Sequence, residues 1–220
     1  MTMKNRVKLT LYRLLFLVAS SALTGCSISY DNIGFDETKK ITTVSAIDGG
    51  DQVKINDLTK AIIALDPETI DPVEAAWVAR EGVLYPKHLA NQYRLMWPPN
   101  YQNVLVNTGR REKGLCYEWA RDMSSHIASR SYKSLTLQRA VANQGGNYEH
   151  NVLTVAAKGK GVEDAIILDP WRHASLLYWV RTKDDPNYQW VKYYPRKYYV
   201  NDENQKVFIS NKNNPANSTN

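Results

Sequence analysis

Cysteine is scarce in this chain: Cys26 and Cys116 are the two it has among 220 residues. That excludes a small scaffold stapled by several disulfides, and no Cys-x-x-Cys or His-x-x-x-His spacing offers a ready metal site. Glycine is sparse as well, 11 residues in all. No glycine-rich phosphate loop can be read, and Gly145-Gly146 reads as a turn. Long apolar runs are missing, since the stretch from Leu14 to Gly25 is too short to cross a bilayer as a helix. Acidic residues are missing from the first 25 positions, which hold Lys4, Arg6, Lys8 and Arg13. Those four account for most of the surplus of 28 Lys+Arg over 22 Asp+Glu, so the pI of 9.2 belongs largely to the leader and is no nucleic-acid footprint. With 43% hydrophobic, 10% aromatic and 23% charged residues the remainder is globular, long enough for one ordinary domain.

The leader has the layout of a secretory signal: a basic stretch, the apolar run Leu14-Leu15-Phe16-Leu17-Val18-Ala19, then small residues. Its end, Leu23-Thr24-Gly25-Cys26, resembles the bacterial lipobox. The resemblance implies a signal peptide over 1–25, a lipid on Cys26, and a mature chain held to a membrane by its acylated N-terminus. Ser27 in place of an acid implies the outer membrane, facing the periplasm. A lipidated Cys26 would leave Cys116 as a solitary thiol in an oxidising compartment, which makes it a candidate reactive group.

Residues 26–54 show no sustained period and read as a membrane-proximal tether with at most a short strand at Ile41–Val44. A domain over 55–210 follows, then an Asn-rich disordered tail at 211–220. Asn56-Asp57 caps a short helix, and Asp71-Pro72-Val73-Glu74 starts a second that ends at Gly82. Pro86 opens a third, stopped by Pro98-Pro99, and 103–107 forms one more. Leu115, Trp119, Met123 and Ile127 place a helical stripe over 115–130. The period then changes to short strands over 135–143, 151–157 and 162–168, and a hairpin pairs 198–200 with 207–209. Helices first and an antiparallel sheet later make an α+β fold, with N-terminal helices packed on the sheet. The aromatic stretch 178–199 reads as the outer layer of that sheet and a second core.

Gly114 breaks the chain just before the helical stripe, so Cys116 falls in a first helical turn, where unpaired N–H groups favour negative charge. His126 lies ten residues along the same helix, about 15 Å away, and cannot reach the sulfur. His88 sits in a polar helical stretch, whereas His150 opens a strand beside a loop and Asp169 closes the next strand. Taking 158–161 as a four-residue hairpin loop sets His150 directly opposite Asp169, their side chains on one face with Val152 and Ile167, against which the Cys116 helix would pack. Such an acid could fix the imidazole tautomer and stabilise its cation. Cys116, His150, Asp169 and His173 as metal ligands lack supporting spacing.

Gly-x-Cys-Tyr-x-Trp-Ala at 114–120, His-Asn-Val-Leu-x-Val from His150 and Leu-Asp-Pro-Trp from Leu168 resemble the transglutaminase-like branch of papain-fold cysteine enzymes. Pro99–Trp171, with Leu105-Val106-Asn107-x-Gly109, is similar to bacterial transglutaminase-like proteins. The resemblance implies a papain/transglutaminase-like core in which Cys116 is the nucleophile, His150 the base and acid, and Asp169 the orienting acid. It implies cleavage or transfer of a peptide or carboxamide acyl group through a thioester, hydrolysis being favoured. No cofactor and no metal are expected, and the expected partners are a membrane, through the lipid on Cys26, and a peptide or protein amide. Two alternatives stand beside it: a non-catalytic binding lipoprotein with a degenerate papain-like fold, and a Cys-His-His cell-wall amidase in which another polar residue replaces the acid.

Overall fold

The computed structural model describes residues 25–195 in full and, for 197–200 and 206–209, the backbone alone. The leader up to Thr24 and the tail 211–220 lie outside the described residues. Three short strands come first: β1 (Cys26–Ser27), β2 (Ile33–Asp36) and β3 (Ile41–Val44). Helices α1 (Gly49–Ile63) and α2 (Pro72–Tyr93), strand β4 (Met96–Trp97), and helices α3 (Pro99–Asn107) and α4 (Cys116–Ile127) follow. The main sheet is built from β5 (Leu135–Ala142), β6 (His150–Ala157), β7 (Ile166–Asp169), β8 (Tyr178–Arg181) and β9 (Val191–Lys192). It is antiparallel throughout, in the order β8-β7-β6-β5-β9. The hairpin expected near the C-terminus is present, with β10 (Lys197–Val200) pairing β11 (Lys206–Ile209). The fold is α+β, four helices against antiparallel sheets.

Alternation along the strands gives the main sheet two different faces. Leu135, Leu153, Val155, Ala157, Ile166 and Leu168 meet Trp119, Met123 and Ile127 of α4 and the apolar side of α1 and α2 in one large core. The opposite face carries smaller residues, Ala140, Ala142 and Val152 with Ile167, and is roofed by Trp190, Tyr188 and Tyr178. Tyr178, Tyr188 and Trp190 of the aromatic stretch therefore do form a second core, whereas Trp179 packs against the larger one and the side chains of Tyr198 and Tyr199 lie outside the described residues. The expectation that α4 packs on Val152 and Ile167 is corrected: the helix lies on the other face, where the larger apolar volume is.

Three local expectations also change. The segment expected as a tether is folded from Cys26 onward: Ile33 is buried, and Thr42 donates from its N–H (3.1 Å) and its Oγ1 (2.7 Å) to the buried carboxylate of Glu81. These strands span four residues at most between turns, too short for a period to show; β2 and β3 pair with each other as a hairpin, and what ties the segment down is long-range, as in Ile28 N–H to the Leu95 carbonyl at 2.9 Å. Second, α2 runs unbroken through Gly82 and Pro86. Pro86 has no N–H for the Gly82 carbonyl, but Val83, Leu84, Leu89 and Ala90 are buried, and that packing outweighs the lost bond. Third, 162–164 is a single 3-10 turn, pinned by Thr182 Oγ1 donating to the Val162 carbonyl at 2.6 Å, so β7 starts only at Ile166.

Candidate functional site

Cys116 is the first residue of α4, and the loop before it is tied from several sides. The Glu118 carboxylate reaches back to accept the N–H groups of Gly114 (2.7 Å) and Leu115 (3.0 Å). Trp119 Nε1 donates to the Gly114 carbonyl at 3.1 Å. Gln102, fully buried, donates to the Lys113 carbonyl at 2.8 Å, and Gly114 takes a φ of +135°, which suits glycine. In the first turn the Glu118 N–H donates to the Leu115 carbonyl at 2.9 Å, which leaves the N–H groups of Cys116 and Tyr117 at the helix tip. The Cys116 thiol is half-buried and donates weakly to the Glu149 carbonyl at 3.7 Å, at the doorstep of β6.

His150 opens β6 and is 2% exposed; Asp169 closes β7 and is fully buried. The register differs from the expected one by two residues. Leu153 pairs with Leu168 and Thr154 with Ile167, so Asp169 comes opposite the Val152 position rather than His150. A two-residue slip keeps the face, and the pair meets on the diagonal: His150 Nε2 donates to Asp169 Oδ2 at 2.7 Å. Rings of Trp171 (5.0 Å between centroids), Tyr188 (4.9 Å) and Trp190 (5.6 Å) enclose the imidazole. With Nε2 committed to the carboxylate, the other ring nitrogen is left on the side of Cys116, whose side chain lies near enough to favour the protonated ring. Burial favours the neutral imidazole, but the charge and hydrogen bond of Asp169, then the contact with Cys116, outweigh it and hold its pKa up at about 9. The ring is therefore a cation at neutral pH.

Behind Asp169 lies an arrangement the sequence reading missed. Arg172 gives Asp169 two more bonds, Nε to Oδ2 at 3.0 Å and its backbone N–H to Oδ1 at 3.2 Å. The far end of the same guanidinium grips Asp185 through two bonds, at 3.2 and 2.8 Å, and Trp190 Nε1 donates to Asp185 at 2.9 Å. The bond from Arg172 was legible in principle, since an arginine three residues past an acid in a turn commonly folds back. Asp185 was not, because only tertiary packing brings it there.

The other histidines stay apart from the sulfur. His126 donates to or accepts from Glu81 at 2.7 Å within a cluster of Phe35, Trp77 and Tyr85. His88 stacks on Phe35 (5.2 Å), burial chiefly lowering its pKa, and the exposed His173 leans on Tyr178 (5.4 Å). The structure thus brings Cys116, His150 and Asp169 together and leaves His173 outside; among the described residues no group of three or more His, Cys, Asp or Glu could hold a metal ion. Cys26, the fourth residue singled out, is exposed at the head of β1, paired with Trp97 of β4. Comparison with protein-family models, with curated proteins and with solved structures finds no match for this chain.

Proposed function

We propose that this protein is a cysteine enzyme with a papain/transglutaminase-like core, acting on a peptide or carboxamide through a thioester on Cys116. The observation that carries the reading is the alignment of a helix-tip thiol, an imidazole and a buried carboxylate, with the ring held as a cation by Asp169. In the reaction so read, the Cys116 thiolate attacks the carbonyl carbon and the oxyanion takes the Cys116 N–H. His150 gives its proton to the departing nitrogen as the C–N bond breaks, leaving a thioester and a neutral ring. The ring then takes a proton from water, the hydroxide attacks the thioester carbon, and the acid leaves as the sulfur is released. An amine in place of water would give transamidation, and hydrolysis is the favoured outcome. Asp169 holds the ring's orientation throughout, which supports an acid rather than another polar group as the third residue and disfavours the Cys-His-His amidase.

On the same reading the protein is lipid-anchored through Cys26 and faces the periplasm at the outer membrane. In support, Cys26 is exposed and its neighbour across the strand, Trp97, is half-exposed at 49%. The deciding experiment is thiol alkylation. Cys116 is expected to react with iodoacetamide at pH 6–7 well ahead of free cysteine, and His150→Ala to abolish the advantage. A thiol no faster than free cysteine, indifferent to His150→Ala, would leave a membrane-tethered binding protein instead.

A further inference from the structure

A second arginine near the sulfur is Arg139 of β5, opposite Leu153 of β6 and within electrostatic reach of Cys116. Its Nη2 donates to Asn151 Oδ1 at 3.2 Å. Asn151 in turn donates to Glu149 Oε1 at 3.1 Å, and the Glu149 carbonyl is the group that touches the Cys116 sulfur. Three consecutive residues, Glu149, His150 and Asn151, thus carry the thiol contact, the imidazole and the amide that fixes the guanidinium. From the other side the Tyr193 ring lies under the guanidinium carbon at 4.1 Å, and Tyr193 N–H donates to the Arg139 carbonyl at 2.9 Å. The guanidinium is held in place but not neutralised. Arg172, Arg121 and Lys113 each have a carboxylate: Arg172 has Asp169 and Asp185, and Arg121 and Lys113 share Asp122. Arg139 has none within ion-pair distance, and its Nε–H is sealed from solvent with no acceptor. Burial chiefly, and the neighbouring charge of Arg121, work against its cation; Tyr193, through its charge and a side-chain hydrogen bond, and then Cys116 work for it without making up the loss.

An uncompensated, half-buried guanidinium costs free energy that an anion would recover, and a planar fork suits a carboxylate. We infer that Arg139 reads the substrate, binding a carboxylate carried by the acyl donor close to the carbonyl that Cys116 attacks, so that the preferred substrates are acidic peptides or carboxamides. The inference rests on Cys116 being the nucleophile. It separates two roles among the arginines: Arg172 serves the carboxylate inside the site, and Arg139 serves one brought from outside.

The test uses two alkylating agents of similar size at the one thiol, anionic iodoacetate and neutral iodoacetamide. Their rate ratio, divided by the ratio for free cysteine, should exceed one by about fivefold at low salt and fall as salt is added. Arg139→Gln should bring the ratio toward one, a comparison that cancels any change in thiolate population common to both reagents, and Arg139→Lys should restore part of it. A ratio equal in the unmodified protein and Arg139→Gln overturns the inference even with the iodoacetamide rate high, which would leave the nucleophile standing. Loss of the iodoacetamide rate advantage in the unmodified protein removes the nucleophile itself. Should Arg139→Gln not fold, the unmodified protein decides: succinate must protect Cys116 from iodoacetamide better than succinamide at matched ionic strength, and equal protection overturns the proposal.

Discussion

The pairing of His150 with Asp169 has a thermodynamic signature that can be read without any substrate. Its pKa stands at about 9 against 6.5 for an ordinary histidine, a preference for the cation worth about 3 kcal/mol. Because folding raises this pKa, the contribution is complete below pH 6.5, declines as the pH climbs, and is gone once the pH passes through about 9. Replacing Asp169 with Asn keeps the size and an acceptor but removes the charge. Burial then prevails, and the ring becomes neutral near or below its ordinary value. The stability gap between the two proteins, from urea unfolding followed by tryptophan fluorescence, should therefore narrow by about 3 kcal/mol between pH 6.5 and 9.5. Cys116→Ser in both proteins removes the thiol from that window, and His88 and Tyr85 interfere little. His88, with its pKa lowered chiefly by burial, acts in the opposite sense and below 6.5, and Tyr85, pushed up to about 12 chiefly by burial, acts above it. His150→Gln, retaining Asp169, should flatten the same stretch of the curve. If the curves for the unmodified protein and Asp169→Asn run parallel from pH 6.5 to 9.5, the ring is not held as a cation by this carboxylate.

The remaining predictions concern the supports of the site. Gly114→Ala puts a Cβ at 2.5 Å from Gln102 Cγ at a φ of +135°; about 2 kcal/mol of stability and the fast alkylation of Cys116 should be lost together, as unfolding and labelling experiments would show. Arg172→Gln leaves the buried carboxylate of Asp185 without its counterion, and that of Asp169 with the His150 cation alone, and should cost about 3–5 kcal/mol in denaturant unfolding; adding Asp185→Asn should recover part of that loss. Glu81→Gln should cost a similar amount, about 3–5 kcal/mol, and speed amide hydrogen exchange in β2 and β3, because Thr42, Arg80 and His126 converge on that carboxylate.

Part of the fold and site was legible because local chemistry dictates it. Gly114 followed by the stripe of Leu115, Trp119, Met123 and Ile127 fixes a helix start within a residue, and the observed first residue is Cys116. His150 at a strand start and Asp169 at a strand end follow from a loop on one side and Pro170 on the other. In the β1–β3 segment the strand at Ile41–Val44 was legible, but its place in the fold was not. Its hydrogen bonds run to Glu81, Asn91 and Leu95, tens of residues away, and nothing in a four-residue strand announces such partners. Pro86 misled because a local rule about helix breaking was outweighed by burial that only the tertiary structure provides.

The register error and its harmlessness to the pairing share one physical cause. Side chains alternate with a period of two, so the slip imposed by the 3-10 turn at 162–164 moved Asp169 one pleat along without turning it over. A slip of one would have sent the carboxylate into the core with Leu153 and Leu168. Which face α4 covers depends instead on volume. Leu153, Val155, Ile166 and Leu168 outweigh Ala140, Ala142 and Val152, so the helix takes the former face, and the shallow face is left with room for the rings of Tyr188 and Trp190 over His150. The consequence for chemistry is positional. Helix and imidazole belong to opposite faces, so the sulfur can meet the ring only at the end of β6, beside the Glu149 carbonyl. On the proposed reading, a substrate is attacked at the end of the β5–β6 pair where His150 faces Ala142, and Arg139, three residues back along β5 and opposite Leu153 on the helix side, would meet the part of the substrate that extends along the sheet.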